Sequence, residues 1–145
     1  MPSEVENPIL FHSELPDFTF DEASAVANWV VLASEEESVT IFGINYIFCS
    51  DEYLLDINIK HLNHNYLTDI ITFPYQEGKV LESDIFISVD RVKDNASGLK
   101  VDWFDELCRV MIHGFLHLCG YKDKTDDEQA VMRKKEDYYL SLRSF

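Results

Sequence analysis

The sequence contains no long apolar run and few basic side chains. No stretch approaches the length of a membrane span, and the acidic residues 1–6 lack the composition of a signal peptide. These absences predict a cytoplasmic protein with no membrane partner. Twelve basic against 27 acidic side chains give a net charge of −15, which argues against a broad nucleic-acid-coating surface. The net charge does not exclude an enzyme that reaches RNA through a local basic groove or a divalent metal.

Cysteine is scarce as well. The chain has three cysteines, an odd number, and they lack the spacing of a disulfide framework: Cys49, Cys108 and Cys119. No structural disulfide is therefore expected. The 145 residues are 46% hydrophobic, which suits one globular domain over residues 1–145 with a real core. A metal-ligand role for Cys119 is the minor alternative to a small buried side chain.

Hydrophobic periodicity and capping residues predict an α+β fold with a small mixed sheet of about four strands and about five helices. The strands are expected at 8–12, 39–48, 69–74 and 82–89, with Pro74 as a stop or an edge marker. The helices are expected to begin after Asp21, Ser50, Asp90, Asp102 and Thr125, and the third to end at Ser97-Gly98. The order of the strands stays open.

The segment His113-Gly114-Phe115-Leu116-His117 carries the strongest chemical signal. Two histidines four residues apart on a helix present their imidazoles on one face, so both can bind one metal ion. Metalloproteases with this spacing place a glutamate, the general base, directly after the first histidine. Gly114 occupies that position here, so a protease of that type is not expected.

The residues after the second histidine extend this metal site. Gly120 lies where a helix commonly ends in a left-handed conformation, and such a turn swings Asp123 back over the histidine face. His113, His117 and Asp123 would then form three ligands with a fourth position open to water, as in catalytic zinc sites. Asp126 and Asp127 are the alternative third ligands, and a plain turn-capping role for Asp123 is the alternative to ligation.

The segment His113-Gly114-Phe115-Leu116-His117-Leu118-Cys119-Gly120-Tyr121 resembles the hallmark of the YbeY-type rRNA maturation factors. Two further blocks resemble that family in the same order, Thr68 to Tyr75 and Asp84 to Ser88. The similarity runs from about Leu55 to the C-terminus. The family consists of bacterial zinc-dependent, single-strand-specific endoribonucleases.

The resemblance implies a cytoplasmic endoribonuclease with one Zn²⁺ per chain. The ion would be held by His113, His117 and Asp123, and these residues would act in catalysis through the metal-bound water. The resemblance also implies a role in 16S rRNA 3′-end maturation and ribosome quality control, with ribosomal RNA and the ribosome or its small-subunit proteins as partners. The family usually has a third histidine at the position of Asp123. The carboxylate adds negative charge, which should make the bound water less acidic than three histidines would.

Leu62 is a second departure, because many family members carry an arginine there that is taken to contact RNA or the transition state. Lys60, Arg91, Lys122 or Lys124 would have to supply that charge. Whether water or the RNA 2′-hydroxyl attacks the phosphodiester is not fixed by the sequence.

Other side chains are candidates for supporting the metal ligands or contacting RNA. Thr68, Asp69, Ser88 and Lys122 are the first group, although Ser88 and Asp84 equally suit helix or turn capping. His61 and His64 suit an exposed loop, with RNA contact as the alternative. Tyr66, Phe73 and Tyr75 could stack on unpaired bases, but aromatic side chains beside strands more often belong to the core.

Two other functions compete with the nuclease. One is a non-catalytic ribosome-assembly or RNA-binding factor with a structural metal, and the other is a metal-dependent hydrolase of a different substrate. An open coordination position beside a basic groove favours the nuclease. A closed four-ligand site or an acidic rim favours the binding factor.

Overall fold

Strands and helices are mixed along the chain in the computed structural model, which describes residues 7–145. The elements are β1 (Ile9–Ser13), α1 (Ala23–Glu36), β2 (Thr40–Cys49), α2 (Asp51–Leu62), β3 (Ile70–Gln76), β4 (Val80–Ser88), α3 (Val89–Leu99), α4 (Trp103–Leu118) and α5 (Asp126–Ser141). The predicted α+β class, with four strands and five helices, is confirmed. Residues 1–6, on which the signal-peptide prediction rests, lie outside the described part.

The strands form one mixed sheet in the order β1-β2-β4-β3. Strands β1 and β4 both lie parallel to β2, whereas β3 pairs antiparallel with β4. Strand β3 is therefore an edge strand, and its start lies beside the helix that carries the histidine pair.

Side chains alternate between the two faces of β4, and this alternation separates two apolar clusters. Ile85 and Ile87 join the main core with α1, α3, α4 and α5. Phe86 faces the other way, onto a smaller cluster around Leu54 of α2 and Ile71 of β3. The histidine helix α4 lies in the main core, where Met111 and Phe115 are fully buried.

Three of the predicted helix caps are present. The side chains of Ser50 and Asp102 accept hydrogen bonds from the backbone N–H groups at the starts of α2 and α4. Thr125 and Glu128 form the predicted capping box of α5. Caps of this kind depend on a few neighbouring residues, so local sequence specifies them well.

Two of the predicted helix starts are wrong. The N-cap of α1 is Glu22, without a side-chain hydrogen bond, rather than Asp21. The N-cap of α3 is Ser88, which accepts from the Arg91 N–H, because Asp90 instead accepts from the Asp51 N–H.

The predicted end of α3 at Ser97-Gly98 is also wrong. The helix runs through Gly98 to Leu99 and ends where Lys100 adopts a left-handed conformation with φ 58°. A glycine inside a helix costs about 1 kcal/mol relative to alanine, which this helix tolerates.

Strand β3 continues past Pro74 to Gln76, with a register shift after the proline. Proline lacks a backbone N–H, and an edge strand can leave that position unpaired. The prediction of Pro74 as an edge marker is confirmed, and its prediction as a stop is wrong.

The three cysteines are free thiols, and Cys49 and Cys108 are buried. Among residues 7–145, no helix is both long enough and apolar enough to cross a membrane.

Candidate metal centre

Helix α4 presents His113 and His117 on one face, one turn apart. The Asp102 carboxylate starts the helix by accepting from the Phe104 and Asp105 N–H groups. The opposite, apolar face fixes the helix on the sheet, with Ile112 and Leu116 fully buried. Both histidine side chains stay partly exposed, 22% and 32% respectively, so a metal ion and a substrate can reach them from solvent.

The chain reverses direction immediately after α4. Gly120 has φ +110°, a left-handed conformation that other residues rarely adopt, as its position predicted. The Gly120 and Tyr121 N–H groups donate to the carbonyls of His117 and Leu116. This turn brings Asp123 back over the histidine face.

Three donor atoms meet at one point, and we call His113, His117 and Asp123 the donor triad. The two histidine Nε2 atoms lie 3.0 Å apart. Asp123 Oδ2 lies 3.2 Å from each of them. Zinc ligands at 2.0–2.1 Å in a tetrahedron are roughly 3.3 Å apart, so the spacing and the chemistry of the donors fit such an ion.

Within the described part of the chain, the donor triad has no fourth protein ligand. Among residues 7–145, these three form the one group of histidine, cysteine, aspartate or glutamate donors close enough to share a metal ion. Asp126 and Asp127 are exposed in the first turn of α5, outside the triad. Cys119 lies outside this group, and burial raises the pKa of its thiol to about 12. Three protein donors leave room for a water molecule or a substrate oxygen on a tetrahedral ion.

Glu136 of α5 orients the first histidine. Its Oε2 atom lies 2.6 Å from His113 Nδ1, and Arg109 donates to its other oxygen at 2.9 Å. Burial alone would lower the pKa of His113, but the hydrogen bond and charge of Glu136 raise it above its usual value. Burial would likewise raise the pKa of Glu136, yet His113 and Arg109 lower it. A proton held on Nδ1 directs the Nε2 lone pair to the metal position.

Glu37, at the end of α1, anchors the turn that carries Asp123. Its carboxylate accepts hydrogen bonds from the Tyr121 hydroxyl at 2.7 Å, from the Lys135 ammonium at 3.0 Å and from Tyr139. Burial alone would raise the pKa of Glu37, but these three donors lower it. The anchor ties the residue two positions before Asp123 to both α1 and α5.

Gly114, between the two histidines, packs closely against the sheet. A Cβ atom there would lie 2.8 Å from Ile70 Cδ1 and 3.4 Å from two atoms of Ile85. The residue that would be the glutamate base of a metalloprotease therefore faces the apolar core. The structure gives a packing reason for glycine at this position.

The candidates for supporting the metal ligands or contacting RNA lie in several separate places. Asp69 lines a pocket that also includes His113, and burial raises the pKa of its carboxyl despite the opposing charge of His113. Thr68 makes a local bond to the Ile70 carbonyl at 3.4 Å. Ser88 is fully buried, caps α3 and donates to Asp51. Lys122 is exposed in the turn beside Asp123.

The candidate substitutes for the family arginine differ in their surroundings. Arg91 is held by ion pairs with Asp51 and Asp94, both at 2.8 Å, and Lys60 pairs with Asp56. Lys122 and Lys124 are exposed and form no ion pair with any residue in the described range. These two lysines flank Asp123 directly.

The aromatic candidates also separate into exposed and packed side chains. Phe73 packs against His61 and Phe86. Tyr66 is exposed and stacks on His64, and Tyr75 is exposed and donates to Asp84 at 2.7 Å.

Asp84 itself belongs to a polar row across the sheet. It also accepts from Asn45, whose Oδ1 lies 3.2 Å from His12 Nε2. The row joins all four strands.

Comparison with known proteins identifies the family and agrees with the fold. Residues 11–143 match the family described as Endoribonuclease YbeY. The Endoribonuclease YbeY of Cytophaga hutchinsonii is 50% identical over 141 residues, which cover 97% of this chain and 99% of that protein. The protein of the same description from Flavobacterium psychrophilum is 49% identical over 134 residues, 92% of this chain and 95% of that one.

A solved structure shares this fold at lower sequence identity. The solution structure of a Thermotoga maritima protein matches this fold with a TM-score of 0.64 and 26% sequence identity, covering 92% of this chain and 87% of that chain. The family match extends over the strands, the α4 histidines and α5. The chain therefore belongs to the YbeY endoribonuclease family.

Proposed function

We propose that this protein is a zinc-dependent, single-strand-specific endoribonuclease that acts in 16S rRNA 3′-end maturation and ribosome quality control. The observation that carries the proposal is the donor triad, three protein ligands with room for a fourth, in a chain of this family. The proposal includes one cytoplasmic domain over residues 1–145, ribosomal RNA as substrate, and the ribosome or its small-subunit proteins as partners.

His113, His117 and Asp123 would hold the ion. A zinc ion bound there supplies Lewis-acid chemistry, which polarises a phosphodiester and activates a water molecule. Glu136 keeps the proton of His113 on Nδ1, so that Nε2 is free to act as a ligand. Lys122 and Lys124 place two positive charges beside the triad, where they attract the RNA backbone and offset charge that develops on the phosphate.

The competing proposal is a non-catalytic assembly factor with a structural metal. Structural zinc sites normally have four protein ligands, and the donor triad has three among the described residues. The count of ligands therefore favours catalysis. The rim of the triad carries both signs of charge, since Lys122 and Lys124 lie close to Asp126 and Asp127.

Zinc-loaded protein is expected to cut a labelled single-stranded RNA internally and to leave the duplex of the same sequence intact. A chelator should abolish cutting, and one equivalent of zinc should restore it. Gel analysis of the labelled fragments measures this. RNA binding without cutting would favour the assembly factor, and undiminished cutting by metal-free protein would refute the zinc-dependent mechanism.

A further inference from the structure

A small pocket adjoins the donor triad along α4. It measures about 190 Å³ and lies between α4, α5 and the start of β3, with His113 in its wall. We call it the α4 pocket. That volume is below the roughly 300–1,000 Å³ of drug-sized ligand sites and suits a group no larger than a single heteroaromatic base.

Glu106 faces this pocket without a partner. The residue is 7% exposed, and its carboxylate accepts no hydrogen bond and forms no ion pair with any residue between 7 and 145. The other two carboxylates of the pocket are occupied: Asp69 accepts from Asn95, and Glu136 accepts from His113 and Arg109. The Glu106 oxygens are not among the fully enclosed polar atoms of the described range, so they are open to a hydrogen-bond donor that enters the pocket.

The remaining walls of the pocket restrict which ligand can donate hydrogen bonds to the Glu106 carboxylate. Arg109 and Arg133 contribute guanidinium groups, and Ile70 and Val110 contribute apolar surface. A phosphate would meet the carboxylates, and a metal cation would meet the guanidinium groups. A flat, uncharged group with hydrogen-bond donors on one edge fits both the apolar walls and the free carboxylate.

The α4 pocket also lies close enough to the donor triad to bind part of the same RNA strand. Glu106 and His113 are seven residues apart on the same helix, which corresponds to about 10 Å along the axis. Single-stranded RNA is commonly recognised by bases that are splayed out, stacked on guanidinium planes and hydrogen-bonded along their Watson–Crick edges. A nucleotide next to the cut phosphate can therefore reach Glu106.

We propose that the α4 pocket binds a guanine base of the substrate strand, with the Glu106 carboxylate accepting from the adjacent N1–H and N2–H₂ groups. Guanine presents two donors side by side, which match the two oxygens of a carboxylate. Arg133, whose side chain is 63% exposed, covers the base by stacking. This inference rests on the proposed nuclease function and makes Glu106 a determinant of where the RNA is cut.

The test uses short single-stranded RNAs of uridine with one central guanosine, inosine, adenosine or cytidine, and zinc-loaded full-length protein. We expect wild-type protein to cut beside guanosine roughly tenfold faster than in the all-uridine RNA, the order of discrimination that a bidentate base contact supplies. Inosine lacks the 2-amino group, so it should lose most of that preference.

Glu106→Gln replaces one acceptor by a donor and should reduce the guanosine preference, taken as the ratio of the guanosine and all-uridine cleavage rates of the same variant, to less than about twofold. The matched Glu52→Gln variant, on the exposed surface of α2, should keep the preference. Equal wild-type rates on guanosine and inosine would overturn the guanine assignment and leave the nuclease proposal intact. No cutting of any RNA would instead remove the nuclease proposal, and this inference with it.

Discussion

Replacing His117 by alanine is expected to remove the bound metal and to reduce RNA cleavage at least about 1000-fold. His117 Nε2 lies 3.0 Å from His113 Nε2 and 3.2 Å from Asp123 Oδ2, so its loss leaves two donors. Metal ions contribute several kcal/mol to stabilising the transition state, and about 4 kcal/mol corresponds to a factor of about 1000. Metal analysis and single-turnover cleavage of a single-stranded RNA measure both effects.

His117 is a cleaner choice than His113 for this experiment. His113 is hydrogen-bonded to the buried Glu136, and its removal would leave that carboxylate with one donor fewer. His117 is one-third exposed. We therefore expect the free energies of unfolding of the metal-free variant and the metal-free wild type to differ by less than about 1 kcal/mol.

His12→Ala is the matched control, because His12 is an exposed histidine on β1 and should retain both metal and cleavage. A His117→Ala protein that is folded and still cuts RNA at a rate near that of the wild type would disprove the role assigned to the donor triad.

Gly114→Glu is expected to destabilise the protein by at least about 4 kcal/mol rather than create a protease. The first side-chain atom alone would lie 2.8 Å from Ile70 Cδ1, and the carboxylate would then enter the apolar core without a partner. Overpacking costs about 1–3 kcal/mol and an unpaired buried charge costs more. Urea unfolding of the metal-free protein measures the loss.

Two controls separate packing from charge. Gly114→Ala should cost less than about 2 kcal/mol, because the contact is with the end of a side chain that can shift and because alanine favours the helix. Gly98→Glu is the same substitution at an exposed helical glycine with no neighbouring atom within 4 Å. It should change stability by less than about 1 kcal/mol. A Gly114→Glu protein as stable as the wild type would contradict the packing explanation.

The features that sequence predicted well depend on neighbouring residues. The caps at Ser50 and Asp102 and the turn at Gly120 each involve bonds within a few positions. The start of α3 shows where this reasoning fails. Ser88 and Asp90 are both good caps, and the choice depends on the hydrogen bond that Asp90 accepts from the Asp51 N–H, a contact between residues 39 positions apart.

The parts of the metal site that sequence reasoning missed are all distant in the chain. Glu136 lies 23 residues after His113, and Glu37 lies 84 residues before Tyr121. No spacing rule connects such residues, because their proximity arises from the packing of α1 and α5 around α4. The burial of Glu106 without a partner is likewise a tertiary property.

The most direct test of the account is the zinc content of wild-type protein and of Asp123→Ala, both purified without added metal and measured by elemental analysis. Asp126→Ala is the matched control, because Asp126 is exposed and lies outside the donor triad. We expect about one zinc per chain in the wild type and in Asp126→Ala, and a marked loss in Asp123→Ala, since only two of the three protein ligands would remain. Wild-type protein without metal, or equal zinc in all three proteins, would contradict a site built from two histidines and Asp123.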